Sequence, residues 1–140
     1  MSVRVQREDF DGAAALAALQ MGRTDAGASC TFIGTVRDVP LTLEHYPGMT
    51  ERCLEAIAAE ARRRFGLLDA CLIHRYGPLQ PGEQIVLVIA LSAHRQAAFD
   101  AANYMMDRLK TDAPFWKLED GGWVAQREGD IAAAQAWQNP

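Results

Sequence analysis

The chain has 140 residues, 49% hydrophobic and 23% charged, with a net charge of −4 at pH 7, enough to bury a core without disulfide staples and too apolar for disorder. An acidic pI near 5.3 argues against nucleic acid or an anionic membrane as the main partner. The longest apolar run, Ile85–Leu91, falls well short of the roughly 20 residues of a membrane span, and the N-terminus lacks the apolar stretch of a secretory signal. The expectation is one cytoplasmic domain over residues 1–140, with a mobile tail from about residue 128.

Val3–Gln6 reads as a short strand, and Asp9 is placed to cap an alanine-rich helix from about Phe10 to Gln20, ending near Gly22. Gly27–Arg37 carries β-branched and aromatic residues and reads as a strand, in which Gly34 marks a bulge or a close backbone approach. Leu41–Tyr46 alternates, setting Leu41, Leu43 and His45 on one face and Thr42, Glu44 and Tyr46 on the other. Pro47-Gly48 breaks that strand before a helix over Met49–Phe65, whose apolar stripe is Leu54, Ile57, Ala58, Ala61 and Phe65. Arg62-Arg63-Arg64 near its C-terminus complement the helix dipole without any anionic ligand. Cys71–Tyr76 is a strand, Pro78–Glu83 a turn, and Gln84–Leu91 an apolar, buried central strand. A third helix over about His94–Thr111 presents Phe99, Ala102, Met106 and Leu109 to the core and is ended by Pro114. Phe115–Glu119 and Trp123–Gln126 read as a hairpin around Asp120-Gly121-Gly122, and Asp130–Trp137 suits a helix with little to bury. Strand pairs between helices, in the order β-α-β-β-α-β-β-α-β-β, predict an α+β sandwich of mostly antiparallel strands.

No dinucleotide, phosphate-loop, zincin or serine-hydrolase motif is present. Cys30, Cys53 and Cys71 are odd in number and form no C-x-x-C pair, so they read as buried structural thiols, not as a zinc or redox site. His45 and His74 stand apart from other ligand-type residues and read as packed or surface histidines, which leaves no metal site. Ser92-Ala93-His94-Arg95 lies where a buried strand hands over to a helix. A His-Arg pair beside backbone amides can bind phosphate or carboxylate, although Ser92 as a plain cap and Arg95 as a solvated residue fit equally well. Arg37 reads more simply as an edge-strand charge than as a ligand.

The basic residues carry a stronger signal. Twelve of the 14 are arginine, and only Lys110 and Lys117 are lysine. Genomic codon bias explains most of that ratio, but such a bias spares lysine chiefly where the amine itself matters. Guanidinium stays protonated, whereas an ammonium can be desolvated and used as nucleophile or base. The pattern puts Lys110 at the border of its helix's apolar stripe, and Lys117 on a strand face with Phe115 and Glu119. Both amines are thus expected beside aromatic or thioether surface, where desolvation lowers a lysine's pKa. The plainer alternative pairs Lys110 with Asp107, and Lys117 with Glu119 or solvent.

Four segments resemble one family: F-x-G-x-V-R (Phe32–Arg37), L-T-L-E-H-Y-P-G-M-T (Leu41–Thr50), S-A-H-R with His94-Arg95, and M-D-x-L-K-x-x-A-P-F-W-K (Met106–Lys117). They are similar to the large, catalytic subunit of molybdopterin synthase, from about Thr31 to Trp123. The resemblance implies an α/β-hammerhead fold and sulfur transfer to cyclic pyranopterin monophosphate, forming the dithiolene of molybdopterin. The sulfur donor would be the thiocarboxylated C-terminal Gly-Gly of a small ubiquitin-like subunit. The implied assembly is a self-dimer of large subunits with a small subunit at each end, and the step needs no cofactor. Matched motif by motif, the substrate-binding positions fall on Thr35, Val36, Arg37, His94, Arg95, Lys110, Lys117, Leu118 and Glu119. Arg37, His94 and Arg95 would bind and orient anions. Lys110 would be the reactive amine, and Lys117 would polarise the substrate or stabilise developing negative charge. The rival reading is a non-catalytic α+β module holding an anionic metabolite in the same basic pocket.

One departure from the resemblance stands out. Only Asp38-Val39-Pro40 separates the V-R from the L-T-L-E-H-Y, where the family carries a longer polar stretch. Val39 is β-branched and Pro40 has φ fixed negative, which suits no three-residue hairpin. A link that is not a hairpin, or a mobile loop absent from this sequence, is expected there.

Overall fold

A computed structural model describes residues 1–119, 122–124 and 137. Among the described residues the elements run β1 (Ser2–Gln6), α1 (Gly12–Gln20), β2 (Ala28–Thr35), β3 (Leu41–His45), α2 (Met49–Phe65), β4 (Asp69–Arg75), β5 (Gly77–Leu79), β6 (Gln84–Ser92), α3 (Arg95–Asp112), β7 (Phe115–Glu119) and β8 (Gly122–Val124). They sort into two four-stranded sheets, ordered β1-β4-β6-β2 and β5-β3-β7-β8. Every pairing is antiparallel except β1 with β4. The expected α+β architecture of mostly antiparallel strands with three helices is what forms.

Strand periodicity decides what covers the first sheet. Ala70 and Leu72 of β4, with Val86, Val88 and Ala90 of β6, face α2 and α3 and meet Leu54, Ile57, Ala58, Ala61, Met105 and Leu109. The alternate residues Cys71, Ile73, Leu87 and Ile89 face the other way, onto Phe10, Ala15, Leu16 and Leu19 at α1. A strand covered on both faces has no place for polar side chains, which is why β6 reads as an apolar run. Each fully buried leucine here contributes roughly 1.5–3 kcal/mol, and Leu54, Leu72, Leu87 and Leu91 are all at 0% exposure.

Gly34 is explained by β6. A Cβ there would lie 2.8 Å from Val86 Cγ1, and the β2–β6 register shifts between Gly34 and Thr35. Both expected features, bulge and close approach, occur together. Beyond this bulge the chain leaves the first sheet. Val36 donates to the Glu83 carbonyl at 2.9 Å and accepts from Gly82 at 2.8 Å, then packs with Leu43 and Leu79 of the second sheet. β2 pairs with β6, whereas β3 pairs with β5 and β7. Residues 36–40 therefore cross between sheets, with Asp38 at a φ of 69°, and the link is not a hairpin.

Several expectations need correction. Asp11, not Asp9, caps α1, accepting from the Ala14 amide at 3.0 Å. Asp9 instead accepts from Phe10 and from Gln84 Nε2. The stretch read as a turn from Pro78 begins with β5, which pairs with β3 through Leu79 and Leu41. Phe99 is 60% exposed, because the buried face of α3 runs through Ala98, Ala101, Ala102, Met105 and Leu109. Small alanines, not the larger aromatic, set the phase of that helix. Of the three thiols only Cys71 is buried, and Cys30 and Cys53 are half-buried. The tail helix expected over 130–137 lies outside the described residues apart from Trp137. That indole packs on Phe65 and Tyr104, and Arg64 donates to its carbonyl.

Candidate functional site

Lys110 occupies the last turn of α3, where a cation suits the helix dipole. Its expected partner Asp107 is engaged elsewhere, accepting from Trp137 Nε1. Among the described residues Lys110 forms no salt bridge, and its side chain is exposed rather than set into the apolar border that the sequence predicts. The helix ends because Pro114 follows: the Ala113 amide still reaches the Leu109 carbonyl at 3.3 Å, and the chain then turns directly into β7.

β7 lies beside β3, with Phe115 opposite His45, Trp116 opposite Glu44 and Lys117 opposite Leu43. Directly opposed residues share a sheet face. Phe115, Lys117, Leu43 and His45 thus lie on one face, and Trp116 on the other, where it meets Tyr46 edge-on at 4.6 Å. The face expected for Lys117 is the one observed, and its side chain is half-buried.

An aromatic cluster gathers around Phe115 of β7. His74 of β4 stacks on Phe115 at 3.8 Å and 20°, and His45 packs against Tyr76 at 4.4 Å and Phe115 at 6.0 Å. Both histidines are 7% exposed. Burial holds His74 down at about 4 against an ordinary 6.5, with the charges of Lys110 and His45 adding to the effect. The ring is therefore neutral at neutral pH. Its Nδ1 donates to the Arg75 carbonyl at 2.8 Å, since a carbonyl can only accept, so Nε2 carries the lone pair. Thr50 Oγ1 donates to the Tyr46 carbonyl at 2.8 Å and accepts from His45 Nδ1 at 3.1 Å, which fixes the same tautomer for neutral His45. Of the two expected settings, packed or surface, both histidines take the packed one, but they are not isolated. They join Phe115 in one cluster beside Lys110.

The remaining site residues divide into two groups. Thr35, Val36 and Arg37 lie at the sheet crossing. Val36 is buried against Leu43, the residue opposite Lys117, while Arg37 is 90% exposed and 3.6 Å from Asp38. Leu118 is exposed on the outer face with Trp116, and Glu119 is in β7 opposite Gly122. His94 and Arg95 are at the opposite end of α3. His94 caps the helix in extended conformation, its amide bonded to Ser92 Oγ at 3.2 Å, and both side chains are exposed. The fifteen residues from Arg95 to Lys110 span about 22 Å of helix. One copy of the chain therefore does not bring His94 and Arg95 to the lysines.

Sequence reasoning missed His74, His45 and Phe115 as a unit. The signal was present in β4, where a period of two puts His74 on the face of Ala70 and Leu72, toward the helices.

Comparison with known proteins agrees with this architecture. The model of the family described as MoaE protein matches residues 5–112. A molybdopterin synthase catalytic subunit from Mesorhizobium japonicum is 53% identical over 149 residues, covering 99% of this chain and 94% of the relative. Since this chain has 140 residues, the relative carries some that have no counterpart here. The structure of a molybdopterin biosynthesis MoaE protein from Burkholderia ambifaria superposes with a TM-score of 0.91 at 48% identity, covering all of both chains. A complex of subunits 1 and 2 of molybdopterin-converting factor from Helicobacter pylori shares the fold, with a TM-score of 0.72 at 21% identity over 90% of each chain. On these matches the chain belongs to the family of molybdopterin synthase catalytic subunits.

Proposed function

We propose that the lysine end of α3 is the reaction centre at which sulfur passes from a small carrier subunit to cyclic pyranopterin monophosphate. The observation that carries this reading is that Lys117 shares a strand face with Phe115, on which His74 stacks, while the charge of Lys110 acts on that same ring, in a chain that otherwise uses arginine for its cations. The carrier's thiocarboxylate and the cyclic phosphate are both anions. In a protein of net charge −4 they need local positive charge to meet. Lys110 acts through its amine, as general base or through a transient bond to the carrier's acyl end, and Lys117 stabilises the negative charge that develops. Thr35, Val36 and Arg37 border the substrate at the sheet crossing, and Leu118 and Glu119 continue β7 beyond Lys117.

His94 and Arg95 enter this reading from a second copy. Their distance along α3 makes them useless to their own Lys110, whereas in a self-dimer the His-Arg pair of one protomer can complete the anion site of the other. The need for a small carrier subunit has the H. pylori complex as its precedent in this fold. Three thiols without a disulfide among the described residues suit a reducing, cytoplasmic setting, and no helix there is long and apolar enough to cross a membrane.

The test is conversion of cyclic pyranopterin monophosphate by this chain with a Gly-Gly carrier bearing a C-terminal thiocarboxylate. Molybdopterin is expected only when both proteins are present. Product from this chain and free sulfide alone, at the same rate, contradicts the reading.

A further inference from the structure

Asp107 and Lys110 lie three residues apart on α3, the spacing at which a carboxylate and an ammonium on a helix surface reach each other. No such ion pair forms, and among the described residues neither side chain takes part in any salt bridge. The carboxylate is taken instead by an N–H thirty residues further along the chain: Trp137 Nε1 donates to Asp107 Oδ2. That indole is well held. Arg64 of α2 donates to the Trp137 carbonyl at 2.8 Å and lies over its ring at 5.5 Å, while Phe65 and Tyr104 meet the ring edge-on at 6.1 and 5.6 Å. Tyr104, Asp107 and Lys110 follow one another in steps of three along α3. Trp137 thus packs on the first and bonds the second, which leaves the third about one helical turn further on.

We propose that Trp137 is a positioning residue for Lys110: by occupying the Asp107 carboxylate, its indole N–H keeps the Lys110 amine out of an ion pair along the helix and available to the substrate. The proposal rests on the reading of Lys110 as the reactive amine, and it adds the group that keeps that amine free. A carboxylate paired with Lys110 would oppose the chemistry in two ways. It would hold the nitrogen against its own helix, and it would favour the protonated form, which has no lone pair to use. An indole N–H is a donor only, so it satisfies the acid without adding a second cation beside Lys110. The arginines nearby are committed elsewhere. Arg108 is 3.6 Å from Asp112 and lies over Tyr104, and Arg64 is bonded to the Trp137 carbonyl. Lys110 is therefore the cation that a released Asp107 would meet at helix spacing.

The N–H can be removed while a ring is kept. Trp137→Phe retains an aromatic ring for Phe65 and Tyr104 and the carbonyl for Arg64, and it loses the donor to Asp107. With folding checked by the unfolding midpoint, Trp137→Phe is expected to lose threefold or more in kcat with the KM for the carrier unchanged. Adding Asp107→Asn removes the carboxylate that captures Lys110, and the double variant is expected to return to within twofold of the original. A double variant as poor as Trp137→Phe alone assigns the indole to packing and overturns the proposal. A second measurement needs no sulfur transfer. The chain has only two lysines, so acetylation of Lys110 by acetic anhydride can be followed by peptide mass with Lys117 as the internal reference. Trp137→Phe is expected to slow the labelling of Lys110 relative to Lys117 by threefold or more, and Asp107→Asn to restore it. Labelling of Lys110 that is not slowed overturns the proposal. If labelling slows and recovers while kcat is the same in every variant, the control of Lys110 by Trp137 stands and the reactive-amine reading is what fails.

Discussion

The two ends of α3 carry the same kind of residue in opposite kinds of surroundings. At the N-terminal end, the side chains of His94 and Arg95 are exposed at the helix start. At the C-terminal end, Lys110 stands beside a stacked imidazole and phenyl ring, with Lys117 on the adjoining strand face. A motif that names cations says nothing about whether one molecule assembles them. On the proposed reading the C-terminal end carries the chemistry, and the N-terminal end is an anion site that a second copy completes.

The largest effect expected from breaking this asymmetry comes at the C-terminal end. Lys110→Ala should reduce sulfur transfer by about 10²–10⁴, the usual cost of removing an acid–base group, measured as turnover with saturating carrier. Arg95→Ala should also be poor, through weaker anion binding and a higher KM. Lys110→Ala and Arg95→Ala chains, each nearly inactive, should recover activity when mixed and allowed to exchange, because a mixed dimer holds one site with neither substitution. Equal mixing is expected to restore about a quarter of the unmodified activity, the statistical share of intact sites in a two-fold dimer. No recovery after proven exchange would confine each site to one chain.

The aromatic wall has its own signature in acid. Above about pH 6.5 the His74 ring is neutral in folded and unfolded chains alike, and it adds no pH dependence. Below that, the unfolded chain takes up a proton that the folded chain refuses until about pH 4. Stability should therefore fall across this window by about 3 kcal/mol, given 1.36 kcal/mol per unit of pKa difference. His74→Gln should remove that slope, as read from unfolding midpoints in urea between pH 4 and pH 7.

Smaller effects sharpen the roles. Lys117→Arg should keep partial activity and Lys117→Ala little, because its part is electrostatic and a guanidinium supplies charge. Replacing Cys30, Cys53 and Cys71 together by serine or alanine should leave carrier-dependent turnover measurable in a folded protein. Burial raises all three thiols above their ordinary pKa, the opposite of what a sulfur-carrying thiolate needs. Complete loss in a folded triple variant would show that one of them carries sulfur.

The order of elements apart from β5, the buried central strand and the lysine face of β7 were legible because period-two alternation and turn residues report local geometry directly. The phase of α3 was not, since the face through Ala98, Ala101, Ala102, Met105 and Leu109 is fixed by packing on the first sheet, and Phe99 is left outside it. Nor was the switch of sheet between β2 and β3, though the unsuitability of Val39 and Pro40 for a tight hairpin was a true signal of it. The motifs named a set of candidate residues without placing them relative to one another. Their division into two groups about 22 Å apart follows from helix rise, which the motif does not state. His74 and Phe115, 41 positions apart in the chain, meet only through tertiary packing.

The most direct test of the central claim, that the lysine end of α3 supplies an amine and not merely a charge, is the turnover of Lys110→Arg with thiocarboxylated carrier and cyclic pyranopterin monophosphate. A guanidinium keeps the charge and loses the deprotonatable nitrogen, so the variant is expected to fail nearly as badly as Lys110→Ala. Near-normal turnover in a folded Lys110→Arg protein would contradict the claim and leave Lys110 an anion-binding residue.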